Sequence, residues 1–185
     1  MIRKKMLIEF YDAVSRTYDD LYGLEQRLKY EAILEGINLC GLILDAGCGT
    51  GLFYEYVEKL CEYVGFDISY YMVKRCTVKY GKYWNANFIC CDLEMPPFRP
   101  NVFDCIVAVT VVHHVNMVKA INLIQRMLKG GGVAVVTIPY RFSREIEEFE
   151  KTISSSNKGI FIIRVEEGKE IRDIIYLLRC DKWRR

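Results

Sequence analysis

The sequence predicts a doubly wound α/β fold: a mostly parallel sheet with helices on both faces, finished by a C-terminal antiparallel hairpin. From Gly41 onward, short β-rich runs alternate with stretches of helical period, the pattern of βαβ units. Those runs are nearly continuously apolar, as strands covered on both faces are. The chain has 185 residues, 51% hydrophobic and 27% charged, enough for one sizeable core and too few for two comfortable domains.

Before Gly41, Tyr30, Ile33, Leu34 and Ile37 stand at helical spacing and predict a helix covering the sheet. Strands are predicted at 42–44, 63–66, 87–91, 103–109 and 133–138. Between them, Leu52, Phe53, Tyr56, Val57 and Leu60 make one core-facing helical stripe, and Met72, Val73, Cys76 and Tyr80 a second. Met117, Ile121, Ile124 and Leu128 make a third. Ser143 is placed to cap a helix carrying Ile146, Phe149 and Ile153. The β-rich runs 160–165 and 171–178, separated by Glu166-Glu167-Gly168-Lys169-Glu170, read as the hairpin and bring the sheet to seven strands. The Leu-rich end of the last run also admits a helix.

Lys plus Arg total 26 against 24 for Asp plus Glu, so the net charge of +2 announces neither nucleic acid nor membrane. The eight cysteines include no C-x-x-C pair and no Cys/His spacing of the zinc type, so no metal site is expected. Their apolar surroundings suit reduced core thiols and a cytoplasmic location. The start lacks the apolar segment of a signal peptide, and the longest apolar run, 102–118, is interrupted by Asp104, His113, His114 and Asn116, so no membrane span is expected.

The most informative segment is Leu42-Ile43-Leu44-Asp45-Ala46-Gly47-Cys48-Gly49-Thr50-Gly51, a strand running into alternating glycines and then a helix. Glycines let the backbone turn sharply and let a ligand approach without a Cβ in the way. A dinucleotide fingerprint would be G-x-G-x-x-G, whereas here the third glycine comes one residue early, at Gly51. Asp45 beside the loop would repel a pyrophosphate and suits a cationic ligand. Asp67 ends the second strand, where a carboxylate can accept two hydrogen bonds from a ribose diol, and Asp92 ends the third. Ile68 and Leu93 beside these acids offer apolar surface for an adenine, and Val109 closes the fourth strand at the same edge. Acids do cap strand ends without any ligand, but three in succession beside this loop fit that reading poorly.

With these residues in place, the chain resembles a class I S-adenosylmethionine-dependent methyltransferase, whose fold is Rossmann-like. Asp45-Ala46-Gly47-Cys48-Gly49-Thr50-Gly51 matches the family's first motif, Asp67 its ribose-binding acid, and Cys91-Asp92-Leu93 the segment that meets adenine. The resemblance continues through Phe103-Asp104-Cys105-Ile106-Val107 and Leu128-Lys129-Gly130-Gly131-Gly132, taken as the turn before the fifth strand. Within the family it is most similar to the small UbiE-like and Trm9-like group, through Tyr11-Asp12, Tyr18-Asp19 and His113-His114. It implies S-adenosylmethionine as cofactor. It also implies a division into residues 1–40, an N-terminal helical lid of the same domain, and 41–185, the methyltransferase core.

Methyl transfer from a sulfonium needs alignment and exclusion of water more than catalytic side chains. His113 and His114, the only histidines, can act as general base or can simply hold the loop through backbone bonds. Tyr11, Tyr18 and Tyr22 can close over the cofactor or pack on the sheet; the resemblance favours the lid for Tyr11 and Tyr18. Cys48 lies within the loop and is also explained by packing, as is Met72. Met95-Pro96-Pro97-Phe98 precedes the fourth strand and lacks the amide or acid of a base-amino methyltransferase, so it is read as a loop.

Basic runs at Arg3-Lys4-Lys5, at Lys74, Arg75, Lys79 and Lys82, and at Lys182-Trp183-Arg184-Arg185 are read as solvated surface, with RNA contact as the alternative. No long insertion covers the cleft, which is therefore expected to be open. The leading expectation is a small-molecule acceptor closed in by the N-terminal segment. The alternatives are an RNA or protein acceptor, a partner subunit or oligomer that supplies a wall, and a cofactor-binding partner protein without turnover.

Overall fold

A computed structural model describes residues 2–155, 161–165 and 172–179. Along the chain stand α1 (Ile2–Val14), α2 (Tyr18–Gly36), β1 (Gly41–Ala46), α3 (Tyr54–Val57), β2 (Cys61–Asp67), α4 (Tyr70–Tyr80) and β3 (Ala86–Cys90). There follow β4 (Phe103–Val109), a 3-10 turn (Val112–His114), α5 (Met117–Met127), β5 (Leu128–Pro139), α6 (Ser143–Ser154), β6 (Phe161–Val165) and β7 (Asp173–Arg179).

The strands form one sheet in the order β3-β2-β1-β4-β5-β7-β6. The first five run parallel, and β7 is antiparallel to both β5 and β6. The chain winds outward from β1 to β3, then returns to lay β4 beside β1. That reversal opens a crevice at the carboxyl ends of β1 and β4, where ligands bind in open α/β sheets.

Side-chain alternation splits the core into two layers. Leu44, Ala46, Ala108, Ala134, Val136, Ile174 and Tyr176 pack with α5 and α6, while Ile43, Val107, Val135 and Ile175 pack with α2 and the Phe53-Tyr54 corner. The register of β4 on β5 slips between Phe103 and Cys105, so Phe103 shares a layer with Ile106. The predicted stripes of α4 and α5 are buried, as are Phe149 and Ile153 of α6 and Tyr30 and Ile33 of α2. Each such large side chain contributes about 1.5–3 kcal/mol.

Several boundaries differ from expectation. The stripe from Leu52 to Leu60 yields only the four-residue α3, because Gly47, Gly49 and Gly51 all carry positive φ and delay helical geometry, and β2 begins already at Cys61. The Gly130-Gly131-Gly132 run is not a turn before β5 but lies inside it. Ser143 is the first residue of α6 and makes no capping bond. The capping side chains are instead Ser69 at α4 and Asn116 at α5, which accept from the N–H groups of Met72 and Lys119. The last run is strand, not helix. The predicted hairpin turn 166–170 and the basic tail 182–185 lie outside the described residues.

Candidate functional site

The crevice is a cleft walled by the ends of β1 to β4 and roofed by the N-terminal helices. It gathers most of the residues singled out in the sequence: Tyr11, Tyr18, Gly47, Gly49, Asp67, Ile68, Asp92, Leu93, Val109 and His114.

At its floor, Gly47 has φ +79°, and an added Cβ there would stand 2.3 Å from Val111 Cγ2. The backbone N–H groups of Gly47 and Cys48 both donate to the carbonyl of Phe66, which ties the loop to β2. Asp67 is 9% exposed; Oδ2 accepts the Gly49 N–H at 3.0 Å and Oδ1 the Ser69 N–H at 2.8 Å. Burial pushes its carboxyl up to about 6, against the pull of those two backbone bonds. It is therefore mostly ionised at neutral pH.

Three predicted residues stand behind the wall. Asp45 is buried, takes the Tyr63 hydroxyl on Oδ2 at 2.5 Å and is raised to about 7 by burial, with the charge of Asp67 adding to the effect. Cys48 meets Cys76 at 3.9 Å between sulfurs, and Gly51 packs against Tyr80 and Cys76. These three shape the loop from within.

The roof comes from the N-terminal helices. Lys4 of α1 pairs with Asp92 at 2.6 Å and Glu94 at 2.5 Å, and Glu94 also accepts the Asn116 N–H. Farther along α1, Asp12 accepts the Ser69 hydroxyl, and Tyr11 lies 3.3 Å from His114 Nε2. Burial pushes the Tyr11 hydroxyl up to about 12. The basic run around Lys4 is thus only partly solvated surface. Lys79, from the second basic group, is likewise engaged by Asp19.

The two histidines separate. His114 lines the cleft; burial, then the charges of Arg3 and Arg141, lower it to about 4. His113 does not line the cleft, is 2% exposed and is lowered to about 3, chiefly by burial. It stacks on Phe142 at 4.1 Å between centroids, and neither ring nitrogen has a partner among the described residues.

A second pocket, of about 430 Å³, shares Leu7, Tyr11, Tyr18, Thr110 and His114 with the cleft. Thr110 sits at φ +59°, a left-handed conformation rare for a β-branched residue. It is held there by Thr137, whose Oγ1 accepts its N–H at 2.9 Å, and by Asp173, which accepts its hydroxyl at 3.0 Å. Lys29, fully buried, reaches Asp173 at 3.0 Å, Thr110 at 3.0 Å and Glu25 at 2.8 Å, which joins α2 to the ends of β4 and β7. Sequence reasoning missed Lys29, Thr110 and Lys4. Nothing in a pattern of residue types marks a buried lysine or a left-handed threonine.

The strand-end acids, the loop of positive-φ glycines and the apolar flanks define a nucleoside-binding α/β fold. A cationic sulfonium nucleoside fits these residues: a buried carboxylate stands where a diol would be held, and an added Cβ would close the floor. The match is more specific than that: residues 44–136 match the methyltransferase-domain family, and the chain belongs to it. An uncharacterised protein of Methanocaldococcus jannaschii is 36% identical over 121 residues, 65% of this chain and 51% of that protein. A tRNA (carboxymethyluridine(34)-5-O)-methyltransferase of Arabidopsis thaliana is 30% identical over 141 residues, 74% of this chain and 33% of the relative. The chain thus spans about half or less of the length of these relatives. Among solved structures, the magnesium protoporphyrin IX methyltransferase of Synechocystis, with S-adenosylmethionine bound, superposes with a TM-score of 0.74 over 97% of each chain at 17% identity. No described helix is long and apolar enough to cross a membrane, and no described group of His, Cys, Asp and Glu could hold a metal.

Proposed function

We propose that the protein transfers a methyl group from S-adenosylmethionine to a small-molecule acceptor by in-line displacement. The observation that supports this reading is a pocket of small-molecule size beside the cleft at the strand ends, with Leu7, Tyr11, Tyr18, Thr110 and His114 lining both. In the first pocket, Asp67 would hold the ribose, Asp92 with Ile68 and Leu93 the adenine, and the Gly47 to Gly49 backbone the amino-acid end. When bound, the cofactor supplies an activated methyl: the acceptor's lone pair forms the new bond to carbon while the carbon–sulfur bond breaks and its electrons return to sulfur.

The chain's own contribution is alignment and dryness. Residues 1–40 act as the lid, with Tyr11 and Tyr18 excluding water from the shared wall. His114, neutral well below pH 7, is too weak a base to ionise an alcohol; its place is to accept a hydrogen bond and orient the acceptor. His113 lines the second pocket rather than the cleft and stacks on Phe142.

A second reading, transfer to tRNA, is favoured by the Arabidopsis relative. A transfer assay with labelled cofactor against separate small-molecule, RNA and protein fractions separates the two. Label only in RNA or only in protein refutes the small-molecule reading. Titration with S-adenosylhomocysteine and NAD checks the cofactor: binding of NAD alone refutes the assignment, and adenosyl-ligand binding without transfer to any fraction leaves a non-catalytic partner.

A further inference from the structure

The second pocket has a chemical polarity that the methyltransferase family does not dictate. The antiparallel register of β5 and β7 pairs Pro139 with Asp173, and the Tyr140 N–H donates to the Arg172 carbonyl at 2.9 Å. The two chain ends therefore leave the sheet side by side and deliver Arg141 and Arg172 to one rim. Neither arginine has a carboxylate partner among the described residues; Arg141 lies over the Phe142 ring at 5.0 Å. The one carboxylate lining this pocket, Glu25, is already engaged by Lys29. Two guanidinium groups thus line the opening with no carboxylate partner among the described residues, and such forks match the geometry of a carboxylate or phosphate.

The body of the pocket is aromatic, with Phe10, Tyr11, Tyr18, Tyr22 and Tyr140 in its walls. Of the other polar groups in its lining, both nitrogens of His113, and Oε1 of Gln26, which is 6% exposed, are buried without a partner among the described residues. Neither arginine lines the cofactor cleft, so the charged rim and the reacting end are different ends of the pocket.

We infer that the acceptor is a small aromatic anion, whose carboxylate or phosphate is held by Arg141 and Arg172 at the rim and whose uncharged O–H or N–H nucleophile points to the inner end. The inference rests on the methyltransferase reading. Its test is calorimetric titration of the protein with phenylacetate, phenyl phosphate and, as neutral control, phenylacetamide, each with and without S-adenosylhomocysteine. The two acid arms separate a carboxylate from a phosphate site. At least one acid is expected to bind tenfold or more tightly than the amide. In the Arg141→Gln/Arg172→Gln double variant that advantage falls below threefold, while S-adenosylhomocysteine binds as before. Acids no tighter than the amide, or an advantage that survives both substitutions, overturn the subsite. If S-adenosylhomocysteine does not bind, the methyltransferase reading falls, while the arms without it still read the rim on their own.

Discussion

Asp67 offers the sharpest test of the cofactor site. Each of its oxygens already accepts one backbone N–H, from Gly49 at 3.0 Å and Ser69 at 2.8 Å, which orients the carboxylate and leaves one lone pair on each oxygen for a diol. Hydrogen bonds to a charged group contribute about 1.5–3 kcal/mol each, so losing both in Asp67→Ala should cost at least about 3 kcal/mol, roughly 150-fold in affinity. Asp67→Asn keeps one acceptor and should lose about tenfold. The ionised form is the competent one and the carboxyl titrates at about 6, so wild-type affinity holds above that pH and falls about tenfold by pH 5. Both variants should lack that fall. Titration calorimetry with S-adenosylhomocysteine between pH 5 and 8 reads all three curves. Unchanged affinity in Asp67→Ala, or an unchanged acid limb in the variants, would refute the placement of the ribose.

Asp45, raised to about 7 from an ordinary value near 4, contributes stability that is present below about pH 4 and lost as pH rises through 7. Asp45→Asn, which still accepts the Tyr63 hydroxyl, should therefore raise the melting temperature more at pH 8 than at pH 5; an equal shift at both would be contrary. Lys29→Met leaves the Asp173 carboxylate buried without its ammonium partner and should cost about 3–5 kcal/mol in urea denaturation, with partial recovery in Lys29→Met/Asp173→Asn. Gly47→Ala combines a left-handed backbone, about 1–2 kcal/mol, with a contact to Val111 at 2.3 Å, and should lower the melting temperature by several degrees. Val111→Ala should restore part of that loss. Lys4→Met removes the link from α1 to Asp92 and Glu94, and amide exchange in α1 should accelerate several-fold while the β1 and β4 amides keep their protection.

The central parallel strands were legible because they are buried on both faces, and the cleft because its acids sit at strand ends that the hydrophobic runs already locate. What the sequence concealed depends on long-range geometry. Gly130-Gly131-Gly132 reads as a turn by local chemistry, yet the pairing of Leu128 with Phe103 and of Val133 with Cys105 encloses it within β5, at the irregular step of the β4 register. Leu60 has the spacing of a buried helix position and is 63% exposed, because the positive-φ glycines shorten the helix before it. Lys29 has the type of a solvated residue; only the meeting of α2, β4 and β7 supplies the carboxylate that lets it be buried. Among the expected cofactor residues, Asp45 is the instructive case: the motif names it, while the structure turns it inward to Tyr63.

The sequence offers no long insertion over the cleft, and the roof comes from α1, fastened by Lys4 at one end and by Asp12 at the other. The Lys4 ammonium is 36% exposed and its partners 24% and 20%, so these pairs are worth at most about 1 kcal/mol each. As the proposed lid, a roof held so weakly would open at low cost, as ligand exchange requires, and in the arrangement described it sets Tyr11 against His114. The latch also engages Asp92, one of the carboxylates proposed to meet the cofactor. Closure of the proposed lid and occupation of the proposed adenine end therefore draw on the same acid, and the lid's equilibrium must respond to what the cleft holds.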